Sequence, residues 1–367
     1  MLDSLGDDFY KIGHALAWHN QSTNWPFTAG DEVPTYEEAR ALLETYISTV
    51  AGHFQERADN GESTFNAWDV VNEAMRDNPE NPTDWRNALR HGDLPIERPA
   101  RWYEAYANGG NGWDYIYDAF VFARKYAPDA KLFYNDFNDE ELPNKAIAIA
   151  SMVKELNAKY AEEQPNGDDP RPLIEGIGIQ SHYSTRLKLE NLEEVLKIYE
   201  STGCEVHITE LDVQINGTVP SIPTQEQQEV QGDFYARLFK LYKKYDHIIE
   251  RVTWWGTNDS GNWRCMVFDN NWEPKEAYYA VIDPEGYLGY DQEAPLLESF
   301  TYGDDTWTLT DSHGAGVTSE FDVHVPDSVS AISARDIENG LELSAGTNAT
   351  VTLSNDGAVT DGEPCTA

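Results

Sequence analysis

The run Gly203-Cys204-Glu205-Val206-His207-Ile208-Thr209-Glu210-Leu211-Asp212-Val213 decides the fold. Residues 206–213 read as a strand, one of several short and largely apolar runs of the kind covered on both faces. Glu210 stands near its C-terminal end, where a carboxylate gains nothing for folding, with Asp212 two residues on. A helical stretch at 192–199 stops before it at Gly203, and a long amphipathic helix at 225–245 follows it.

The same alternation extends outward in both directions. Apolar strand-like runs lie at 12–18, 67–71, 131–134, 174–179 and 249–255. Helical spacing lies at 36–54, 113–126, 144–160 and 276–281. Six strand–helix repeats of this kind predict an α/β fold with parallel strands. The choice is between an open doubly wound sheet and a closed eight-stranded barrel. No glycine-rich phosphate loop follows any strand, which counts against a nucleotide-binding open sheet. Polar and aromatic residues instead collect just after the strands: His19, Asn72-Glu73, Asn135-Asp136, Gln180, His182, Glu210, Asp212 and Trp255. In a barrel these ends face one mouth, where active sites sit.

Composition bounds the function. The 367 residues include 65 acidic and 26 basic side chains, a formal charge of -39. Such a surface repels phosphates and anionic lipid, so nucleic acid and membrane partners are not expected. No apolar run is long enough to span a bilayer. Three cysteines are too few and too scattered for a disulfide scaffold or a zinc site. The acidic residues are spread along the whole chain, which predicts self-repulsion relieved by salt, as in a salt-adapted protein. No basic segment followed by an apolar run opens the sequence.

Glu73 and Glu210 are the candidate reacting groups. Glycosidic cleavage needs two facing carboxyl groups, one to protonate the leaving oxygen and one to attack carbon or activate water. Asn72 is placed to bind a sugar hydroxyl near the scissile bond. Gln180 and His182, two apart at a strand end, share a face. His182 is in reach of Glu210 or Asp212 and would keep a nucleophile oriented and ionised. His14, His19 and His182 lack the close spacing of zinc ligands, so no metal is expected. Trp25, Trp255 and Trp263 fall in segments that would surround the mouth and suit the apolar faces of pyranose rings. Trp68, Trp85, Trp113 and Trp254 are read as packing.

These strings resemble glycoside hydrolase family 10, the retaining endo-β-1,4-xylanases. The run at 203–213 fits the family's nucleophile signature. Trp68-Asp69-Val70-Val71-Asn72-Glu73 looks like its acid/base strand, and Gly13-His14-Ala15-Leu16-Ala17-Trp18-His19-Asn20-Gln21 its third-strand motif. Gly176-Ile177-Gly178-Ile179-Gln180-Ser181-His182 is similar to its sixth strand, and Trp255-Gly256 with Trp263 to its eighth. All occur in family order over residues 11–290. The resemblance implies a (β/α)8 barrel that hydrolyses internal β-1,4-xylosidic bonds in xylan. Glu73 would be the acid/base and Glu210 the nucleophile. His182 and Asp212 would tune Glu210, and Asn72 would bind the 2-hydroxyl. His19, Gln21, Asn135 and Gln180 would contact sugar, with Trp255 and Trp263 as platform and roof. Neither cofactor nor metal is implied.

Three features depart from the pattern. The family's first two strand–helix units have no counterpart, so the barrel is expected N-terminally truncated, with about six of eight strands visible and its strand edges and apolar lumen exposed. Phe137 stands where the family carries Tyr, which removes one polar contact. Cys204 and Cys265 have no partners by the family pattern and are left as thiols. The catalytic barrel is expected over 1–294. Residues 295–367 read as a linker and small β module, with strands at 306–310, 320–325 and 350–353. The tail fits either the start of a carbohydrate-binding module or a solvated linker. Alternatives to xylan cleavage are a β-1,4-glucanase of the same architecture and an inactive carbohydrate-binding remnant. A monomer is expected, outside the cell where its polymer lies.

Overall fold

Short apolar runs that end in polar residues form the central sheet, as the alternation requires. The computed structural model describes residues 9–20, 33–91, 100–164, 170–215, 223–259 and 265–289, and the backbone of five later strands between 297 and 355. In chain order the elements are β1 (Ile12–Trp18), α1 (Tyr36–Asp59), β2 (Ala67–Asn72), α2 (Arg101–Tyr106), α3 (Asp114–Tyr126), β3 (Lys131–Asp136), α4 (Pro143–Glu163), β4 (Gly176–Ile179), β5 (His182–Ser184), α5 (Leu189–Glu200), β6 (Glu205–Gln214), α6 (Gln225–Lys244), β7 (Ile249–Trp254), α7 (Glu276–Ile282) and α8 (Pro284–Tyr287).

Six strands pair side by side in the order β1-β2-β3-β4-β6-β7, every pair parallel. The three-residue β5 continues the path of β4 and pairs with the end of β6. Helices carry the crossovers between strands. Thr35 and Thr224 open α1 and α6 with capping boxes closed by Glu38 and Gln227, which satisfy orphan N–H groups at the helix start. Strands β2 and β4 are buried at every residue, as expected for parallel strands covered on both faces.

Small residues in β4 decide how closely the strands' inner faces approach. A Cβ at Gly176 would fall inside the ring of Phe133, and one at Gly178 would collide with the Asn135 side-chain oxygen. Both sites therefore require glycine for space rather than for backbone conformation.

Near the N-terminal ends of the strands the inner face is filled by rings and charge. Phe133 stacks on His207 with ring centroids 4.1 Å apart. Tyr10, just before β1, meets His207 edge-on at 6.0 Å, and the Arg251 guanidinium of β7 lies 3.7 Å from the Tyr10 ring centroid. Among the described residues β1 and β7 share no strand pairing; the chain entering β1 meets β7 through this aromatic–guanidinium contact.

Contacts divide the chain into two units, Met1–Tyr278 and Tyr279–Ala367. The division falls within α7, upstream of the composition change at 295. In the second unit, β8 (Leu297–Tyr302), β9 (Asp305–Asp311), β10 (Ser333–Ile337), β11 (Gly340–Ser344) and β12 (Thr350–Asn355) form an antiparallel sheet in the order β10-β11-β12-β9-β8. Strands expected at 306–310 and 350–353 are present; 320–325 lies outside the described residues.

Candidate active site

Two departures from regular strand geometry bring the functional side chains together. At the end of β2, Glu73 takes a φ of 56°, a left-handed conformation that costs an L-residue about 1–2 kcal/mol. This turn lets two successive residues, Asn72 and Glu73, face one cluster. In β6 the pairing with β7 shifts register between Ile208 and Leu211, a bulge that re-aims side chains. Thr209 and Glu210 consequently both reach Asn135, which strict alternation along a strand would oppose. Thr209 Oγ1 donates to Asn135 Oδ1 at 2.8 Å, and Asn135 Nδ2 donates to Glu210 Oε1 at 3.3 Å.

Glu73 and Glu210 are both buried, as are Asn72, Asn135, Gln180 and Asp212. Three amide side chains join the two carboxylates. Gln180 Nε2 and Asn72 Nδ2 donate to Glu73 Oε1 at 2.8 and 3.2 Å. Asn72 Oδ1 accepts from Asn135 Nδ2 at 3.0 Å and from Gln180 Nε2 at 3.4 Å. Strand-end backbone bonds repeat the connection, from Glu73 N to Asn135 O at 2.9 Å and from Glu210 N to Gln180 O at 3.0 Å. His19 adds its Nδ1 at 3.8 Å from Glu73 Oε2.

His182 bridges two carboxylates, with Nε2 3.2 Å from Glu210 Oε2 and Nδ1 3.0 Å from Asp212 Oδ2. Burial disfavours charge on the ring, but the hydrogen bonds and negative charge of Asp212 and Glu210 outweigh it and raise the pKa to about 9. The ring is therefore an imidazolium at neutral pH, with an N–H for each partner. A third of the His182 side chain remains accessible. Trp255 stands edge-on to it at 5.6 Å and is 55% exposed, so its indole offers a face to an incoming ring. Its neighbour Trp254 packs against Tyr235 and Phe239.

Of the residues singled out in the sequence, Glu73, Glu210, Asn72, Asn135, Gln180, His182 and Asp212 share one hydrogen-bonded cluster, with His19 at Glu73 and Trp255 at His182. Gln21, Trp25 and Trp263 lie outside the described residues. Three contributors went unread. Thr209 fixes Asn135. His14 Nδ1 lies 2.9 Å from the buried Asp69 Oδ2; the signal was an acid inside an all-buried strand, directly paired in register with a histidine. Tyr134 accepts from the backbone just beyond Glu73. In the sequence it looked like one more apolar strand residue.

The chain resembles known proteins over this same region. The model of glycosyl hydrolase family 10 matches residues 8–284. Endo-1,4-beta-xylanase A of Thermotoga neapolitana is 36% identical over 298 residues, 78% of this chain; the chain spans only 24% of that protein's length. Exoglucanase XynX of Acetivibrio thermocellus is 32% identical over 81% of this chain and 25% of its own. An intracellular xylanase of Thermoanaerobacterium saccharolyticum, solved with xylotriose, superposes with a TM-score of 0.61 at 29% identity, covering 75% of this chain and 76% of that one. Two buried carboxylates, one just past β2 and one within β6, a histidine holding one of them, and a family match across the whole sheet agree: the chain belongs to glycosyl hydrolase family 10, with that family's (β/α)8-barrel type of fold.

Proposed function

We propose that this chain hydrolyses internal β-1,4-xylosidic bonds of xylan with retention at the anomeric carbon. The observation that carries the reading is the pair of buried carboxylates, Glu73 and Glu210, joined through Asn72, Asn135 and Gln180. The xylanase names of the relatives support it.

In the first step Glu73 gives its proton to the glycosidic oxygen as the C–O bond breaks, and the Glu210 carboxylate bonds to the anomeric carbon. The leaving chain departs with its new hydroxyl. In the second step the Glu73 carboxylate takes a proton from water, the hydroxide displaces Glu210, and Glu73 regains its starting state. His182, positively charged and anchored by Asp212, holds the Glu210 oxygen in place. Asn72 donates to the sugar's 2-hydroxyl, His19 and Gln180 contact the same sugar, and Trp255 stacks on it.

The test is reducing-sugar release from xylan, with Glu210→Ala as control. Release that disappears in the variant supports the reading; equal release by both sinks it. A β-1,4-glucanase activity is the second reading, favoured by the exoglucanase relative; faster cleavage of cellulose than of xylan would select it. The charge of -39 supports operation in high salt. We propose an extracellular location, where the polymer lies; activity found in the cells of the source organism and not in its medium would overturn that proposal.

A further inference from the structure

The side-chain contacts of Glu73 explain how its carboxylate is held, but not what holds its backbone in the left-handed turn. A second buried network lies beneath that turn. Tyr134 Oη accepts the N–H groups of both Ala74 and Met75 at 3.1 Å and donates to Asp136 Oδ2. Asp136 Oδ2 also accepts from Met75 N at 3.3 Å. The other oxygen, Oδ1, faces Lys145 Nζ at 2.9 Å and accepts from Phe137 N at 2.9 Å. Lys145 is fully buried; it bonds in addition to Asp77 Oδ1 at 2.9 Å and to Phe137 O at 2.6 Å. Arg90 closes the outer side, its Nε 3.1 Å from Glu73 O and its Nη2 3.2 Å from Asp77 Oδ1.

Backbone polar groups from Glu73 N to Met75 N are thereby fixed from β3, α4 and the segment around Arg90. Glu73 N is on Asn135 O, Glu73 O on Arg90, Ala74 O on Arg90 N at 2.8 Å, and the next two N–H groups on Tyr134. None of the four side chains at issue, Tyr134, Asp136, Lys145 and Arg90, hydrogen-bonds either catalytic carboxylate in the described structure. Burying a lysine and an aspartate is costly unless they are paired, and a fold needs no such pair where apolar packing would serve. Here the pair reaches the turn that carries Glu73 directly at Met75 N and indirectly through Tyr134, while Phe137 and Asp77 take its other bonds.

We propose that Tyr134, Asp136, Lys145 and Arg90 are positioning residues that hold the acid/base turn, and so aim the Glu73 carboxyl, without touching substrate. The proposal rests on the assignment of Glu73 as acid/base. It separates from a merely structural role because aim matters only where a proton must be delivered. Cleavage of a sugar leaving group needs that proton; formation of the glycosyl-enzyme from an aryl xyloside with an activated leaving group does not.

The experiment measures kcat/KM of the full chain on xylan and on an activated aryl β-xyloside for the unsubstituted protein, Tyr134→Phe, Arg90→Gln and Glu73→Ala. Tyr134→Phe removes the acceptor of two inward N–H groups while keeping the ring. Arg90→Gln acts on the same turn from its outer side and is the fallback if Tyr134→Phe does not fold. The expected result is a loss of roughly tenfold or more on xylan, since small misplacements of a catalytic group cost this much, with little change on the aryl xyloside. Equal losses on both substrates, or no loss on either, overturn the positioning role. If Glu73→Ala itself shows no such split, or the unsubstituted chain cleaves neither substrate, the assignment of Glu73 fails and the proposal falls with it. A split for Glu73→Ala without one for the two turn variants overturns the proposal alone.

Discussion

His182 holds Glu210 from one side, Nε2 to Oε2 at 3.2 Å, while its other nitrogen is tied to Asp212. The ring's pKa, ordinarily about 6.5, is raised to about 9 by this pairing. As pH rises, the unfolded chain loses this proton before the folded one does. The pair's contribution to stability is complete below about pH 6.5 and is lost as pH passes about 9. Thermal melts of the parent and His182→Gln should therefore differ most near pH 6 and converge near pH 10. A gap that widens with pH would contradict the assigned charge.

Replacing Glu73 by Ala should slow xylan cleavage by about 10²–10⁴-fold. Activated aryl glycosides should still form the glycosyl-enzyme and release their phenol in a burst. Added azide, a nucleophile that needs no general base, should restore turnover of these substrates as the β-glycosyl azide. A product of α configuration would argue against retention.

Asn135 touches Asn72, Glu210 and Thr209 and is fully buried. Asn135→Ala should cost about 1–3 kcal/mol of stability, because it leaves buried partners unsatisfied. Turnover should fall by about 10²-fold as both carboxylates lose their common reference. Urea denaturation and steady-state kinetics on one preparation would separate the two effects; full activity with a lowered midpoint would make Asn135 structural only.

Much of this was legible in the sequence because parallel strands covered on both faces are written as short apolar runs, and polar residues at their ends have few reasons to be there. Glu73, Glu210 and His182 stood out on that ground. The short elements did not: α2 and the three-residue β5 have no period to read. Lys145 was hidden for another reason. A lysine in an amphipathic helix looks like part of the solvated face, and only the fold shows that it points inward to Asp136. The bulge at Thr209-Glu210 was likewise invisible, since a register shift depends on the neighbouring strand. The aromatic–guanidinium contact between Tyr10 and Arg251 joins residues too distant in sequence for any local pattern to connect.

The excess of 65 acidic over 26 basic residues should make stability depend on salt. At about 1 M the Debye length is about 3 Å, against about 10 Å at 0.1 M. The melting temperature should rise as KCl is raised over that range. A flat or falling curve would show that self-repulsion is not a significant cost.

Gly176 and Gly178 have one further consequence. They set the clearance between β3 and β4 by what they lack, since Phe133 and Asn135 occupy the volume that side chains on β4 would need. A single added methyl at Gly178, on a residue with no chemistry of its own, should therefore act like damage to the reacting groups, pushing Asn135 out of line with both carboxylates. Tolerance to substitution here follows vacant volume rather than chemical role, and a mutational scan of β4 should rank this methyl near the loss expected for Asn135→Ala.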